Sequence, residues 1–383
     1  MGKSVLNWNK ITNILISTVL VGFLIINGHT FLAPLVFAIF LSILLLPMYN
    51  VFYRLTRIDW LSIVLSFLII FGAVGGVMYF FSVQIYAVFS ELSEIRQSMS
   101  NGINKINYFI ADKFDLDTEV VRDWIDSQVA LLVDLPSTYL STGLSSSSTF
   151  IIQSLICIVY MFFILLYKDA FRNFIISQFP KQNREDIFEV LTSISKVSQQ
   201  YFLGRLLVML ILAILNSLGL WILGIGFPIL WGTLAAILTI IPYIGTTLGG
   251  TFPFIYAFAT EDSLWAPIGV VIMYQIVQQL EGNIITPKIV GGTMQLNPFV
   301  SIVAMVAGGL IWGVSGLIIA LPVIAIIKIL FDHIELLQPI GLLMDKDLAV
   351  KKEKFLEDYD EDKYRLAKYL TTWESSRKKE PQK

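Results

Sequence analysis

The sequence predicts an all-α, polytopic integral membrane protein with about eight membrane elements, and three observations lead to that fold class. Of the 383 residues, 56% are hydrophobic and only 15% are charged, whereas soluble domains have about 25% charged residues. Several apolar runs approach the roughly 20 residues that a helix needs to cross a bilayer. Two further runs are broken by glycine and proline at corresponding places, which predicts two re-entrant hairpins related as an inverted repeat.

Five uninterrupted apolar runs come first, and each is interpreted as a membrane helix. They cover residues 11–27, 31–47, 61–84, 150–167 and 201–223. The first run is expected to be retained rather than cleaved as a secretion signal, because no small-residue cleavage pattern follows it and a second span begins at once. One more span, residues 264–280, separates the two broken runs.

The distribution of lysine and arginine predicts that both termini are cytoplasmic, because cytoplasmic loops hold the excess of these residues. The organisation that follows has five parts. They are residues 1–85 with three helices, 86–148 as an extracytoplasmic amphipathic segment, 149–200 with a fourth helix and a linker, 201–344 as the transport core with both hairpins, and 345–383 as a charged cytoplasmic tail.

Composition argues against several partners. The chain has 27 lysines and arginines against 29 aspartates and glutamates, which leaves no large basic surface for nucleic acid. One cysteine and two histidines do not make a zinc site, so no metal or other cofactor is expected.

The outer segment has a pattern of its own. Apolar residues recur every three or four positions between 85 and 110, which is typical of a coiled-coil seam. Two interpretations stay open: a homo-oligomer that assembles through residues 85–110, or an amphipathic helix that lies on membrane lipid or on its own domain.

The broken runs, "FPILWGTLAAILTIIPYIGTTLGGTFPF" and "NPFVSIVAMVAGGLIWGVSGLIIALPVI", share one plan of proline, glycine and proline. Because one span separates them, they would enter the membrane from opposite faces, as in transporters whose site lies near the midplane. Free backbone groups are tolerated in the membrane only inside protein or beside a wet cavity. The alternative is that glycine and proline only kink or pack spanning helices. The candidate hairpin and pathway residues from this pattern are Pro242, Gly245, Gly249, Gly250, Pro253, Pro298, Gly308, Gly309, Gly313, Gly316 and Pro322.

Glu281 ends a span in "VQQLEGNIITPKIVGG" and is the candidate coupling residue. An ionisable group at the edge of hydrocarbon is a functional candidate for a proton or cation. The alternative is a structural glutamate paired with Lys288 or Arg205. For Arg205, the alternative to a transport role is an anchor that reaches the membrane surface, and Lys328 is interpreted as such an anchor. The candidate transport residues are Glu281, Gln279, Gln278, Asn283 and Arg205.

These segments resemble the AI-2E family of transporters. The resemblance covers about residues 5–345 and is specific in "IIPYIGTTLGG", "QQLEGNIITPKIVGG" and "NPFVSIVAMVAGGLIWGVSGLIIALP". It implies a bacterial cytoplasmic membrane protein, oligomeric assembly and export of small solutes, with autoinducer-2, a small neutral polyol, as the namesake. The resemblance also adds Pro287 and Asn297 to the candidate hairpin and pathway residues. Some relatives are credited with sodium/proton antiport, so the substrate does not follow from the family.

Three functional hypotheses remain. The first is secondary transport without nucleotide hydrolysis, since the chain has no G-x-x-x-x-G-K-[ST] loop; the solute is a small metabolite or, alternatively, a monovalent cation exchanged for protons. The second is an oligomeric membrane pore or scaffold. The third is an intramembrane enzyme that uses Ser315 of "GVSG", but neither His29 nor His333 is within reach as a base, since His333 is about 27 Å further along the segment. The protein is therefore not expected to be an enzyme.

Overall fold

The structure is a computed structural model and describes residues 4–6, 8–90, 151–241, 244–261, 263–291, 295–350, 353–361, 364 and 371–373. The predicted oligomer seam at 85–110 and the predicted outer segment at 86–148 lie mostly outside these residues. Within the described ranges the chain is almost entirely helical, as the composition predicts.

Helices cover each of the first five predicted spans. The helices on these spans are α1 (Trp8–Asn27), α2 (His29–Thr56), α3 (Asp59–Ser90), α4 (Ile151–Leu166) and α6 (Arg184–Ile222). Between the last two lie the shorter helix α5 (Lys168–Ser177) and a 3₁₀ turn at Lys181–Asn183. Helix α6 has 39 residues and continues through the predicted boundary at residue 200, because residues 184–203 contain neither proline nor glycine to interrupt it.

The remaining described elements are shorter, with one exception. They are α7 (Pro228–Leu238), α8 (Ile244–Thr260), α9 (Trp265–Leu280), a π-helical turn (Glu281–Ile285), α10 (Thr286–Ile289), the long α11 (Pro298–His333), a 3₁₀ turn (Glu335–Leu337), α12 (Gln338–Leu343) and α13 (Lys354–Glu357). Among the described residues, five helices are long and apolar enough to span a membrane, or six if α4 and α5 form one broken span. The chain is therefore a multi-pass membrane protein, and the total of about eight membrane elements stays a prediction.

The chain forms two compact units. Unit 1 comprises residues 1–40, 167–199 and 293–383, and unit 2 comprises residues 41–166 and 200–292. Helices α2 and α6 each contribute to both units.

In unit 2 the first broken run is a helical hairpin in which α7 packs on α8, and α8 packs in turn on α9. Gly249 allows the close approach of the two hairpin helices, since a methyl group at that position would lie only 2.7 Å from the Cα of Ala235. The end of α6 and helices α8 and α9 enclose an apolar core. Its buried members are Leu220, Ile225, Tyr256, Ala257 and Val270.

In unit 1 the second broken run is also a hairpin. Helix α11 is interrupted at Trp312 and Gly313, and Gly313 has φ +60° and ψ −136°, a conformation that favours glycine. The chain folds back there, which brings Gly308 and Gly316 together: a methyl group on Gly308 would lie 2.6 Å from the carbonyl oxygen of Gly316. In a straight helix, two residues with this separation in sequence are about 12 Å apart. At the break, Trp312 Nε1 donates to the carbonyl of Ile25 in α1 at 2.9 Å.

Residues 338–347, here called the strap, bind the start of the second hairpin. Asn297 caps α11 by accepting the N–H of Val300 at 2.8 Å. The Nδ2 of Asn297 donates to the carbonyl of Leu343 at 2.8 Å, and its backbone N–H donates to Met344 at 2.9 Å. The strap is therefore fixed to the entry of the hairpin by both side-chain and backbone hydrogen bonds.

The strap also binds the end of the same hairpin. Lys328 Nζ lies 2.6 Å from Asp332 Oδ2 and 3.9 Å from Asp345 Oδ2. Lys328 and Asp345 are each 7% exposed. The interpretation of Lys328 as an anchor reaching the membrane surface is wrong, because its ammonium group is buried against two carboxylates of its own unit.

Two short strands join the ends of the described chain. The strand β1 (Ser4–Leu6) pairs antiparallel with β2 (Thr371–Trp373), with Val5 opposite Thr372. The segments near the two termini therefore lie side by side.

Candidate functional site

The polar end of α9 is shaped by a wide turn. Residues Glu281–Ile285 form one turn of π-helix, closed by the N–H of Thr286 donating to the carbonyl of Glu281. Pro287 explains the widening, because proline has no N–H for the carbonyl of Asn283 and its ring would clash with that carbonyl in an α-helix. Single π turns are frequent at functional sites. Here the turn carries Glu281 as a buried residue.

Glu281 is paired with Arg205 of α6 inside unit 2. Arg205 Nη1 lies 3.5 Å from Glu281 Oε1, and the hydroxyl of Thr286 donates to the same oxygen at 3.3 Å. Arg205 is 9% exposed and Glu281 is 7% exposed. Arg205 is therefore the buried ion-pair partner of Glu281 and not an anchor at the membrane surface. Lys288, the other partner considered for Glu281, is exposed.

A small cavity lies beside this pair, between α6, α7 and α9. Its volume of about 10 Å³ is room for about one water molecule. Tyr274, Gln278 and Glu281 line it from one face of α9, as their spacing of four and three residues requires. The described residues that line it are Leu212, Asn216, Ala235, Thr239, Tyr274, Val277, Gln278 and Glu281.

Two polar atoms of the lining residues are unsatisfied. Within the described part of the chain, Asn216 Oδ1 and the Tyr274 hydroxyl are buried without a hydrogen-bond partner, and Arg205 Nε is as well. Buried polar atoms are normally paired, so the cavity presents groups ready to bind a polar molecule. Thr239 differs, because its hydroxyl already donates to the carbonyl of Ala236 at 2.6 Å.

Sequence reasoning missed Asn216 and Tyr274. A signal for each was present: Asn216 is an amide within the apolar run of α6, and Tyr274 is in helical register with Gln278 and Glu281. An amide inside a membrane helix needs a partner, which is the reason to single it out.

The candidate transport residues at the end of α9 lie on two different sides of the helix. Gln278 and Glu281 line the cavity. Gln279 and Asn283 are exposed, and Asn283 Nδ2 donates to Gln279 Oε1 at 2.8 Å. With Gln275 they border an open groove whose described lining comes from α9 and the π-helical turn. The amides of Gln279 and Asn283 therefore face away from the cavity that Glu281 lines, although they are its near neighbours in sequence.

The predicted hairpin residues fall in both units. In unit 2, Gly245, Gly249, Gly250 and Pro253 belong to α8, Pro287 lies in α10, and Pro242 lies outside the described residues. Gly250 lies against Tyr274, since a methyl group there would be 3.2 Å from the ring. The other predicted residues shape the second hairpin in unit 1; they are Asn297, Pro298, Gly308, Gly309, Gly313, Gly316 and Pro322.

Several membrane-length helices define a multi-pass α-helical membrane protein. A buried ion pair in it lies beside a cavity with unsatisfied polar groups. The chain belongs to the AI-2E transporter family, whose model matches residues 14–336. Its general function is membrane transport.

Individual relatives agree with this assignment. YrrI of Bacillus subtilis, named as a proposed transport protein, is 26% identical over 307 residues, which cover 79% of this chain and 86% of that protein. YueF of the same organism, named in the same way, is 26% identical over 324 residues, covering 78% and 86%. The AI-2 transport protein TqsA of Escherichia coli is 22% identical over 351 residues, covering 90% and 98%.

Proposed function

We propose that this protein is a secondary transporter that exports a small polar solute without nucleotide hydrolysis. The observation that carries the proposal is the buried Arg205–Glu281 pair beside a cavity with unsatisfied hydrogen-bonding groups. Burying a charged pair costs desolvation energy that packing alone does not require. Ionisable groups inside membrane segments generally belong to transport pathways.

The charge of the site favours a neutral solute. The charge of Glu281, which lines the cavity, is balanced by its partner Arg205. The other described residues of the lining are uncharged. A cation added to this arrangement would leave a net positive charge in a poorly solvated place. Autoinducer-2 is the first solute to test, because it is a small neutral polyol and because TqsA is named for its transport.

The proposal includes an arrangement in the bacterial cytoplasmic membrane with both termini in the cytoplasm. The β1–β2 ribbon supports it by holding the two ends of the chain together. The first hairpin is proposed to be re-entrant because α7 has 11 residues and is about 17 Å long, well short of the roughly 30 Å hydrocarbon core. The second hairpin is proposed as its inverted counterpart, and residues 85–110 as the contact of a homo-oligomer.

Efflux from proteoliposomes tests the proposed function. Vesicles loaded with labelled autoinducer-2 and containing the wild-type protein should release it with saturable kinetics and without ATP. Glu281→Gln should slow release by about tenfold or more, which corresponds to about 1.4 kcal/mol or more of lost interaction. Glu261→Gln is the matched control, because Glu261 is exposed. Wild-type release no faster than from empty vesicles refutes the proposal for this solute, and unsaturable release that Glu281→Gln leaves unchanged indicates a pore.

Monovalent cation/proton antiport is the second candidate. The observation that favours it is the buried carboxylate of Glu281, since an ionisable group inside membrane segments is the kind of group that binds a proton or Na⁺. A pH-sensitive dye in vesicles with an imposed proton gradient tests this. Collapse of the gradient by Na⁺, Li⁺ or K⁺ in the wild type but not in Glu281→Gln supports antiport; no response in either protein removes it.

A further inference from the structure

We infer that the cavity beside the ion pair is a subsite for a single hydroxyl group, recognised by Asn216 and Tyr274. A water molecule occupies the subsite when no solute is bound. The inference rests on the proposed transport of a neutral polar solute and assigns to it two residues that contact the solute.

The hydrogen-bonding needs of the two residues are complementary to one hydroxyl oxygen. Asn216 Oδ1 is an acceptor without a donor in the described structure, and Asn216 is 3% exposed. The Tyr274 hydroxyl is buried and likewise unpartnered there. A hydroxyl or a water donates one hydrogen bond and accepts another, so one oxygen atom can donate to Asn216 and accept from Tyr274. Filling the cavity with such a group removes the penalty of leaving both atoms unsatisfied.

Size and charge select a hydroxyl over the other small ligands. A volume of about 10 Å³ accepts one water-sized group and excludes a hydrated ion. A bare cation is disfavoured, because the Arg205 guanidinium lies 3.5 Å from Glu281, the one carboxylate among the described residues of the lining. The apolar lining residues, Leu212, Ala235 and Val277, offer no competing hydrogen bond.

The surroundings hold the two recognition groups in place. The ring of Tyr274 packs on Gly250 of α8, which limits the positions open to its hydroxyl. Asn216 comes from α6, so the two groups approach the cavity from different helices. Gln278 and Glu281 border the same cavity, and the rest of a solute is expected to extend toward them when the site opens.

The first test is an experimental structure of the solute-free protein at a resolution that shows ordered water. The expected result is one water within about 3.2 Å of both Asn216 Oδ1 and the Tyr274 oxygen. An empty cavity, or a direct bond between the two side chains, overturns the inference.

The second test is autoinducer-2 efflux by Tyr274→Phe, which removes only the hydroxyl, and by Asn216→Ser. Each variant should raise KM by about tenfold, because one buried partner of the solute is lost. Gln275→Leu is the control on the exposed face of α9 and should transport like the wild type. If the wild type exports autoinducer-2 and both variants keep its KM, the inference is overturned. If the wild type does not export it, the proposed function fails for this solute, and the ordered water alone decides the subsite.

Discussion

Removing one member of the Arg205–Glu281 pair should destabilise the protein far more than removing both. Two unit charges 3.5 Å apart attract each other by about 5 kcal/mol at an effective dielectric constant of about 20. Each side chain is less than one tenth exposed, so water does little to screen them. Arg205→Met would leave the Glu281 carboxylate buried with the Thr286 hydroxyl as its remaining donor. The expected loss is about 3–5 kcal/mol of unfolding free energy.

The double variant Arg205→Met/Glu281→Gln buries no charge at this position. Replacing a buried ion pair with uncharged groups is often neutral for stability, so the expected loss is within about 1 kcal/mol of the wild type. The loss of unfolding free energy in the single Glu281→Gln variant should fall between those of Arg205→Met and the double variant, because its amide oxygen still accepts a hydrogen bond from Arg205. The coupling energy of the double-mutant cycle is then at least about 2 kcal/mol.

Reversible unfolding in mixed micelles, followed by the fluorescence of the 8 tryptophans, measures these differences. The matched control is Lys354→Met, since Lys354 and Asp358 form an ion pair in which both side chains are more than half exposed. Such pairs contribute about 0–1 kcal/mol. Strictly additive effects of the two single variants, with a coupling below about 0.5 kcal/mol, would refute the reasoning that the charges interact in a buried environment.

Three further predictions concern unit 1. Lys328→Met should cost about 3–5 kcal/mol of unfolding free energy, because Asp345 stays buried without its cation. The double variant Lys328→Met/Asp345→Asn should recover stability, and a double variant as unstable as Lys328→Met would contradict this cause. Gly313→Ala should cost about 1–3 kcal/mol in the same assay, because φ +60° with ψ −136° is accessible almost only to glycine. The control is Gly22→Ala inside α1, where a methyl group meets open space and alanine should not destabilise the helix. Equal stability of the two variants would argue against strain at Gly313. Gly316→Val should separate the two arms of the second hairpin at a cost of about 1–3 kcal/mol, because a side chain there meets the backbone of the facing arm. Faster proteolysis of the variant would show the separation, and unchanged digestion would count against close packing of the arms.

The features that sequence reasoning found are those with local causes. Long apolar runs form helices in the membrane because every backbone group can then be paired within the segment. Both breaks were found because glycine and proline act on their own stretch of backbone, as Gly313 does at the tip of the second hairpin. The wide turn after α9 has the same origin, since Pro287 removes a donor from its own helix.

Functional pairing was harder to predict. Two partners, Lys288 and Arg205, were considered for Glu281, and only the packing of α6 against the end of α9 selects Arg205. Lys328 looked like a terminal anchor because its partner Asp345 comes from the strap after the helix ends. The Arg205–Glu281 and Lys328–Asp345 contacts join residues far apart in the chain, so no local pattern contains them. The pair of Lys328 with Asp332 is different, because these residues are four positions apart on one helix and their spacing was visible in the sequence.

The sequence by itself determined that this is a helical membrane protein of a transporter family, where most of its helices lie and where two of them break, because hydropathy and backbone chemistry act over one helix length. The tertiary structure decided which polar groups meet. It placed Gln278 and Glu281 in a cavity with Asn216 and Tyr274 while leaving Gln279 on the exposed face of the same helix. The physical reason is that burial and hydrogen-bonding partners are set by neighbouring helices, and a helix's own sequence does not specify which of its faces they will cover.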